Sequence, residues 1–583
     1  MIVPMKKVTV VVQDKDKIDL IEKLGKLGIL HIEHVQAPSG REINLIKEDI
    51  EKLEEAVDIL SLFSLEKERK EIGDWKVFIR QVIELKKKID CLREELNKLK
   101  EEIAVWEDWG NFEPKLIKEL EGKNILVKFY RIPLREIKKL PSDLVVKEIS
   151  KKKGMCNCLV IARREIKLPY PEFSLPILSL EEMKREKEKK GSLILSLENE
   201  LREKSKFIDS LKKIKLDLER EKEFVEVVKG MGEEENLSYL RGYIPEDKVE
   251  EFLNFARKEG WGVLVEDPKP EDNVPTLLRN PRWVEILSPL FKILEIFPGY
   301  QELDISMWFL IFLSLFFGIL IGDAGYGFIY LLLTFLIKKK WKDRIKEKSI
   351  FYLLYLLSTS AIIWGLLSGT IFGQEWLSNF IKPIIPSLRD DKTVQGFCFF
   401  LGAIHLSIAH LWKFILKLPS LSSLVELGWV FILWGMYFLA RMLILGDLLP
   451  GFVKFIFLLG FVFILFFTHP QKNIIKGIGK GISNLLLNLV NNFTDVVSYI
   501  RLFAVGLATI AIADSFNRMA IDLGYQGFFS GLITSLILLL GHTLNLILGP
   551  MSVLVHGVRL NLLEFSNHLG IKWIGFPYKP LKR

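Results

Sequence analysis

An arginine stands in the middle of "SYIRLFAVGLA" (498–508), inside a stretch otherwise apolar enough to span a membrane. A guanidinium stays protonated under all relevant conditions and presents a donor fork that matches a carboxylate. Held beside a carboxylate, it favours the ionised form and so forces release of a proton or cation bound there. It also bars ions from leaking straight through. Charged groups inside membrane segments are rare and mark ion paths, so each one here is a candidate. Asp323 is the only charged side chain between Met307 and Ile337. Asp495 precedes Arg501 by six residues. Beyond a charge-free run from Gly524 to Val558 come Arg559 and Glu564, with His542 and His556 nearby. Glu375 lies at the end of the apolar segment 349–373, His405 and His410 belong to 394–416, and Glu426 lies near the start of 421–444.

Ala504, Ala508, Ala511 and Ser515 follow Arg501 at +3, +7, +10 and +14. Helical winding puts them on one face, a stripe of small residues that lets another helix approach closely. A partner helix outside this chain is the expectation; the alternative is a buried ion pair within it, for instance with Asp495. For His405 and His410 a packing or hydrogen-bonding role stands beside a relay role. Glu426 serves equally well as a helix cap at the interface.

These residues need membrane helices to hold them. Apolar segments run over roughly 305–337, 349–373, 394–416, 421–444, 452–468, 478–522 and 526–566. Seven simple spans from a cytoplasmic N-terminus would put "KKKWKDRIKEK" (338–348) outside and the uncharged-to-acidic loops "GDLLPG" and "DLGYQG" inside, against the positive-inside rule. A hairpin turning at "GDAGYG" (322–327) reverses every later loop. The Lys-rich loops, including "QKNIIKGIGK" (471–480), and the tail "KPLKR" then become cytoplasmic. The expectation is therefore about eight helices with both termini inside. The two hairpin arms are short, about 16 residues against the roughly 20 of a full span. The last two segments, at about 40 residues and 1.5 Å each, are too long to stand upright and must tilt or run along the interface.

The averages (26% charged, 49% hydrophobic, net charge +8, pI near 8.9) conceal a different first half, dense in Lys and Glu. "MIVPMKKVTVVVQDKDK" has no signal-peptide core, so residues 1–300 are expected in the cytoplasm. Strand-like runs "KVTVVVQ" and "ILHIEHV" flank a helix near 15–28. Leu85, Ile89, Leu92, Leu96, Leu99, Ile103 and Trp106 keep the four–three spacing of a coiled-coil seam. A second seam passes through Leu201, Ile208, Leu211, Leu218 and Val225. The pattern reads as a cytoplasmic α+β dumbbell: a proximal α/β lobe from 1–40 plus 232–270, antiparallel coiled-coil arms at about 41–110 and 180–230, and a distal lobe at about 120–175. A single irregular α+β domain is the other arrangement it allows. An all-α polytopic membrane domain fills 301–583.

The chain carries no phosphate-binding loop, nucleophile elbow, HExxH or dinucleotide fingerprint, so no ATP site, cofactor or catalytic residue is expected. Four scattered cysteines, with "CNC" lacking a second ligand pair, argue against a metal site. Positive charge interleaved with Glu at helical spacing reads as solvated helix surface, with no nucleic-acid partner.

The motifs "FFGILIGDAGYG" (316–327), "FTDVVSYIRLFAVGLA" (493–508) and "VLVHGVRLNLLEF" (553–565) resemble the large membrane stator subunit of V/A-type rotary ATPases, subunit a of V-ATPases and subunit I of the archaeal and bacterial enzymes. "RGYIPEDKVEEF" (241–252), "DNVPTLLRN" (272–280) and "PGYQELDIS" (298–306) add support over most of the chain. The resemblance implies a non-catalytic, multi-pass subunit that couples H+ or Na+ movement to ATP hydrolysis or synthesis. Its dumbbell would anchor peripheral stalks and meet the central-stalk or ring-cap subunit, and its membrane domain would face a proteolipid rotor ring within the lipid bilayer. Arg501 would be the key arginine and Arg559 its partner. Asp323 and Glu375 would line an external half-channel, Asp495 and Glu564 a cytoplasmic one. Thr509 and Gly549 stand where eukaryotic members have a histidine and an acidic residue, so those roles do not carry over. A self-contained secondary transporter or channel is the alternative, but it leaves the coiled coil unexplained and the chain shows no paired inverted repeat.

Overall fold

A computed structural model describes residues 1–63, 72–137, 140–141, 144–152, 154–341, 345, 347–374, 382–467, 488–525 and 527–582. Two compact units emerge, one of Met1–Val11, Gly28–Glu33 and Arg241–Leu581, the other chiefly of Val12–Leu27 and His34–Leu240. In chain order the first half contains β1 (Met5–Gln13), α1 (Lys17–Leu27), β2 (His31–Glu33), α2 (Arg41–Ser61), α3 (Trp75–Trp106) and α4 (Pro114–Glu121). There follow β3 (Leu126–Pro133), β4 (Val145–Lys152), β5 (Met155–Ala162), β6 (Glu172–Phe173), α5 (Leu180–Ser205) and α6 (Ile208–Gly230). β7 (Gly232–Glu234), β8 (Leu237–Pro245), α7 (Val249–Glu259) and β9 (Gly262–Glu266) complete it.

In the helical unit the helices pair two by two: α3 with α5, which carries Leu201, and α2 with α6, which carries Ile208, Leu211, Leu218 and Val225. Lys190 reaches Glu95 (2.7 Å) and Lys184 reaches Glu107 (2.8 Å), so α3 and α5 run antiparallel. Lys215 to Glu54 (2.5 Å) and Lys47 to Glu226 (3.7 Å) give the same sense for α2 and α6. Each arm is thus two helices where the spacing predicts one. Asp74 caps α3, its carboxylate accepting the N–H groups of Lys76 and Val77. Beyond the coiled coil lies a four-stranded sheet in the order β4-β5-β3-β6. Trp106, Trp109, Phe112, Phe129 and Phe173 pack edge-on and stacked beneath it.

The other unit carries a sheet whose strand path is β2-β8-β1-β9. β1 buries Val8, Val10 and Val12 on alternate positions, the period that makes it a strand, and Met5 at its start. Lys7 pairs with Asp272 (2.8 Å) and Glu33 (3.4 Å). Burial first, then the neighbouring Glu33 charge, pushes the Tyr243 phenol up to about 12. The end of the chain folds back here: Tyr578 donates its hydroxyl to Ile29 O, and Leu581 N–H meets Leu30 O at 3.0 Å.

Short α8 (Arg282–Glu285) and α9 (Ser288–Ile293) lead into apolar helices α10 (Ser306–Ile321), α11 (Ala324–Trp341), α12 (Ser349–Ser368), α13 (Asp391–Lys417), α14 (Leu424–Ala440) and α15 (Val453–Phe467). Two long helices follow, α16 (Asn488–Leu523) and α17 (Phe528–Leu569), of 36 and 42 residues. At 1.5 Å per residue they measure about 54 and 63 Å, well beyond the roughly 30 Å of a hydrocarbon core. Five of the helices among the described residues are long and apolar enough to cross a membrane; α10 and α15 are shorter apolar ones.

The chain reverses between α10 and α11, as the loop charges predict. Gly322 sits at φ +66°, a left-handed conformation that a glycine adopts without strain. The arms splay and α12 lies against both. Ser360 donates to Ser314 O (2.5 Å) on the parallel arm. Lys338 lies over the rings of Tyr352 and Tyr355 on the antiparallel one. At the tip, a Cβ on Gly365 would fall 2.0 Å from Ala324 N, so only glycine lets α12 pass. The core of this unit includes the fully buried Phe309, Phe316, Leu320, Tyr499, Leu502 and Phe565.

Candidate functional site

Arg501 begins the straight part of α16, just after a one-residue interruption at Tyr499. Its Nε donates to Ser498 O at 3.0 Å, and its Nη2 pairs with Glu564 Oε1 of α17. Arg559 Nε lies 4.0 Å from the same oxygen. The Glu564 side chain is 6% exposed, and its other oxygen, Oε2, is buried without a hydrogen-bond partner among the described residues. Arg501 therefore finds its carboxylate inside the chain, which differs from the external partner the small stripe suggests and from the alternative of Asp495.

The local winding of α17 explains the difference. Val553–Gly557 and Leu560–Phe565 are π-wound, with i→i+5 hydrogen bonding in place of i→i+4. At 3.6 residues per turn, positions five apart point roughly 140° from each other; in a π turn they nearly stack. Arg559 and Glu564, five apart, are thereby brought to one face. A helical-wheel reading of the sequence misses this pairing because it assumes the α period.

The stripe itself, Ala504, Ala508, Ala511 and Ser515, is exposed along its whole length. The opposite face of α16 buries Leu502, Gly506, Thr509, Ala513 and Asn517. A charged pair thus opens onto a lane of small side chains that is exposed among the described residues.

Asp495 takes a different partner. Its Oδ2 lies 3.1 Å from His568 Nε2 on α17. His568 Nδ1 lies 2.8 Å from His410 Nε2 on α13, and His410 Nδ1 lies 2.7 Å from Glu426 Oε2 on α14. Lys417 (2.5 Å) and Lys413 (3.7 Å) flank Glu426 Oε1. Four helices contribute to this buried chain of polar groups. It borders a cavity of about 550 Å³ that also holds Asn488, Asn491, Thr494 and Asn567. His405, one turn and a half from His410, is instead sandwiched between Phe312 and Phe565, with centroids 3.8 and 4.3 Å away, and bonds Tyr499 (2.7 Å).

Asp323 is buried at the N-terminus of α11. Its carboxylate accepts the N–H groups of Gly325 (2.8 Å), Tyr326 (3.1 Å) and Gly373 (2.9 Å). Those contacts make it a helix cap and a clasp for the segment after α12. Glu375 lies outside the described residues. A second cavity, of about 350 Å³, opens beside this tip between Gly322, Thr370, Arg389, Asp391, Phe503 and Ile510. Close by, Tyr326 meets His542 Nδ1 (2.7 Å) and Asn545 (3.1 Å), and Asn545 also donates to Thr509 O (2.8 Å). Tyr326 and Asn545 escape sequence reasoning; the one signal for them is polarity within an apolar run. Among the described residues no group of His, Cys, Asp and Glu is arranged to hold a metal ion.

An all-helical domain with five helices able to cross a bilayer, and paired charges buried among them, defines a polytopic membrane protein. No family model matches the sequence. It is 31% identical over 622 aligned residues, the whole of both chains, to V-type ATP synthase subunit I of Borreliella burgdorferi. It is 32% identical over 518 residues, 82% of each chain, to V-type ATP synthase subunit I 1 of Treponema pallidum. A-type ATP synthase subunit I of Methanocaldococcus jannaschii is 23% identical over 57% of this chain and 53% of that one. The chain belongs to the V/A-type ATP synthase subunit I family. The crystal structure of the cytoplasmic N-terminal domain of subunit I, homolog of subunit a, of V-ATPase matches 45% of this chain and 99% of that one. At 17% identity and a TM-score of 0.25 this likeness carries no argument.

Proposed function

We propose that this chain is the non-catalytic stator subunit of a V/A-type rotary ATPase, presenting Arg501 to a rotating proteolipid ring and carrying the two ion half-channels. The observation that carries the reading is the Arg501–Glu564 pair facing an exposed stripe of small residues. A ring helix bearing a carboxylate fits that lane, and its approach would let Arg501 exchange Glu564 for the arriving carboxylate. Arg559, 4.0 Å away, then holds Glu564 in Arg501's place. Each ring carboxylate is ionised as it passes, which separates the ions on the two sides.

The cavity beside Gly322 and Asp391 serves the external route, with Asp323 shaping its wall and Glu375 as a further candidate. The cavity bounded by Glu426, His568 and Asp495 serves the cytoplasmic one. Tail residues 578–581 bond to residues 29–31, which supports both ends of the chain lying on one side and an even number of crossings, eight, with α10 and α11 as the first two. Residues 1–300 and the tail then lie in the cytoplasm, where the coiled coil and distal lobe anchor the peripheral stalks and the proximal lobe approaches the central-stalk or ring-cap subunit. The test is Arg501→Ala in the assembled complex. ATP-driven ion pumping is expected to vanish while the complex still assembles and hydrolyses ATP. Pumping that survives refutes the reading.

A further inference from the structure

The cytoplasmic-side cavity ends on four side chains that form three hydrogen bonds in series: Asp495 to His568, His568 to His410, His410 to Glu426. Each bond needs one proton between its two heavy atoms. Two neutral imidazoles bring two protons, one each, and ionised carboxylates bring none. Completing all three bonds therefore requires one proton more. Among the described residues, the charged groups beside the set are Lys413 and Lys417 of α13, and Asn488, Asn491, Asn492 and Thr494 of α16 and Asn567 of α17 share its cavity. The two lysines bind Glu426 Oε1 and the His568 carbonyl, leaving the three bonds themselves untouched.

We propose that Asp495, His568, His410 and Glu426 form a one-proton relay, so that the ion moved on this side is H+ and no metal cation. The inference rests on the stator reading and names its substrate. With the extra proton on Asp495, its O–H points to His568 Nε2, His568 Nδ1–H to His410 Nε2, and His410 Nδ1–H to Glu426. Three protons shift one bond along: each donor bond breaks, a new one forms on the facing atom, and no electrons are exchanged. Asp495 ends ionised, Glu426 ends protonated, and both imidazoles end as Nε2–H tautomers. Water in the cavity resets them by exchanging N–H protons, since both rings line it. The reverse sequence runs the other way. A sodium ion prefers a shell of hard oxygen ligands, and the middle of this path offers only imidazole nitrogens.

The test uses the assembled complex in vesicles, following ATP-driven acidification and radiolabelled Na+ uptake in parallel. His568→Ala and His410→Ala are expected to slow acidification by about 10²-fold, the worth of a positioned proton-transfer group. Added imidazole, small enough for the cavity, should restore it in both, while Arg501→Ala stays inert to imidazole. Undiminished acidification in both histidine variants overturns the relay. So does a loss that imidazole leaves untouched but His568→Gln repairs, which marks a purely structural hydrogen bond. Sodium uptake by the wild type overturns it with the stator reading intact. Wild-type vesicles that move neither ion sink the stator reading itself, and the relay with it.

Discussion

Glu564→Gln removes the charge that Arg501 meets inside the chain while keeping shape and volume. Breaking a buried ion pair by neutralising one partner costs about 3–5 kcal/mol. Arg501 keeps 23% of its side-chain surface, and Arg559 stands 4.0 Å from the same carboxylate oxygen. Solvent and a second cation thus share the interaction, and about 2–3 kcal/mol is expected. In a domain of this size that lowers the melting temperature by roughly 4–10 °C. The assay is thermal unfolding of the chain in lipid nanodiscs for the wild type, Glu564→Gln, Arg501→Gln and the double variant. Each single variant leaves one buried charge unmatched and the double leaves neither, so the double should lose clearly less than the sum. A coupling of about 1–2 kcal/mol is expected. If the two losses add to within about 0.5 kcal/mol, the pair is not a stabilising contact and Arg501 is held by other means.

Ala508→Leu and Ala511→Leu fill the exposed lane of α16 without touching its packed face. The melting temperature of the chain should move by no more than the equivalent of about 0.5 kcal/mol, whereas coupled pumping by the complex should fall sharply; equal effects on both measurements argue against a passing partner helix. In the sheet-bearing lobe, the hydrogen bond from Lys7, then that from Lys269 N–H, holds the Asp272 carboxyl below its ordinary range. Its folded value is depressed, so its contribution is present above the ordinary carboxylate pKa and is lost as pH falls through the lowered value. Asp272→Asn should accordingly weaken the lobe at neutral pH and flatten its acid-unfolding limb, measured by circular dichroism against pH.

Features that depend on near neighbours in sequence were legible. The seams around Ile89 and Leu201 follow from a local four–three repeat, and the reversal at Gly322 follows from which loops carry lysine. The partners of the charged groups were not, for two physical reasons. Arg501 meets Glu564 only because α17 winds more widely than the α period assumed in reading a face. His410 and His568 are 158 residues apart, and no periodicity links side chains on α13 and α17. Asp323 shows the converse: its isolation among apolar residues singles it out, yet its oxygens are committed to backbone N–H groups at the hairpin tip. A charge in an apolar run reveals that something must satisfy it, without saying whether that is the chain's own backbone or a passing ion.

The π turns of α17 have a consequence for how this sequence can change. A π turn is one residue longer than the helix needs at that point, and the surplus is what sets Glu564 beneath Arg501. Deleting one residue between Arg559 and Glu564 would let that turn relax to the regular α period, with better hydrogen bonding. The two charged residues would then stand four apart, about 40° from each other on the α wheel, so the carboxylate would keep the face it has now. Restoring the α period with every residue kept would instead leave Arg559 and Glu564 about 140° apart and take the carboxylate away from its neighbour. Residue count and winding in this turn are therefore constrained together: five residues from Arg559 to Glu564 require the π turn, and four would serve in a regular α turn.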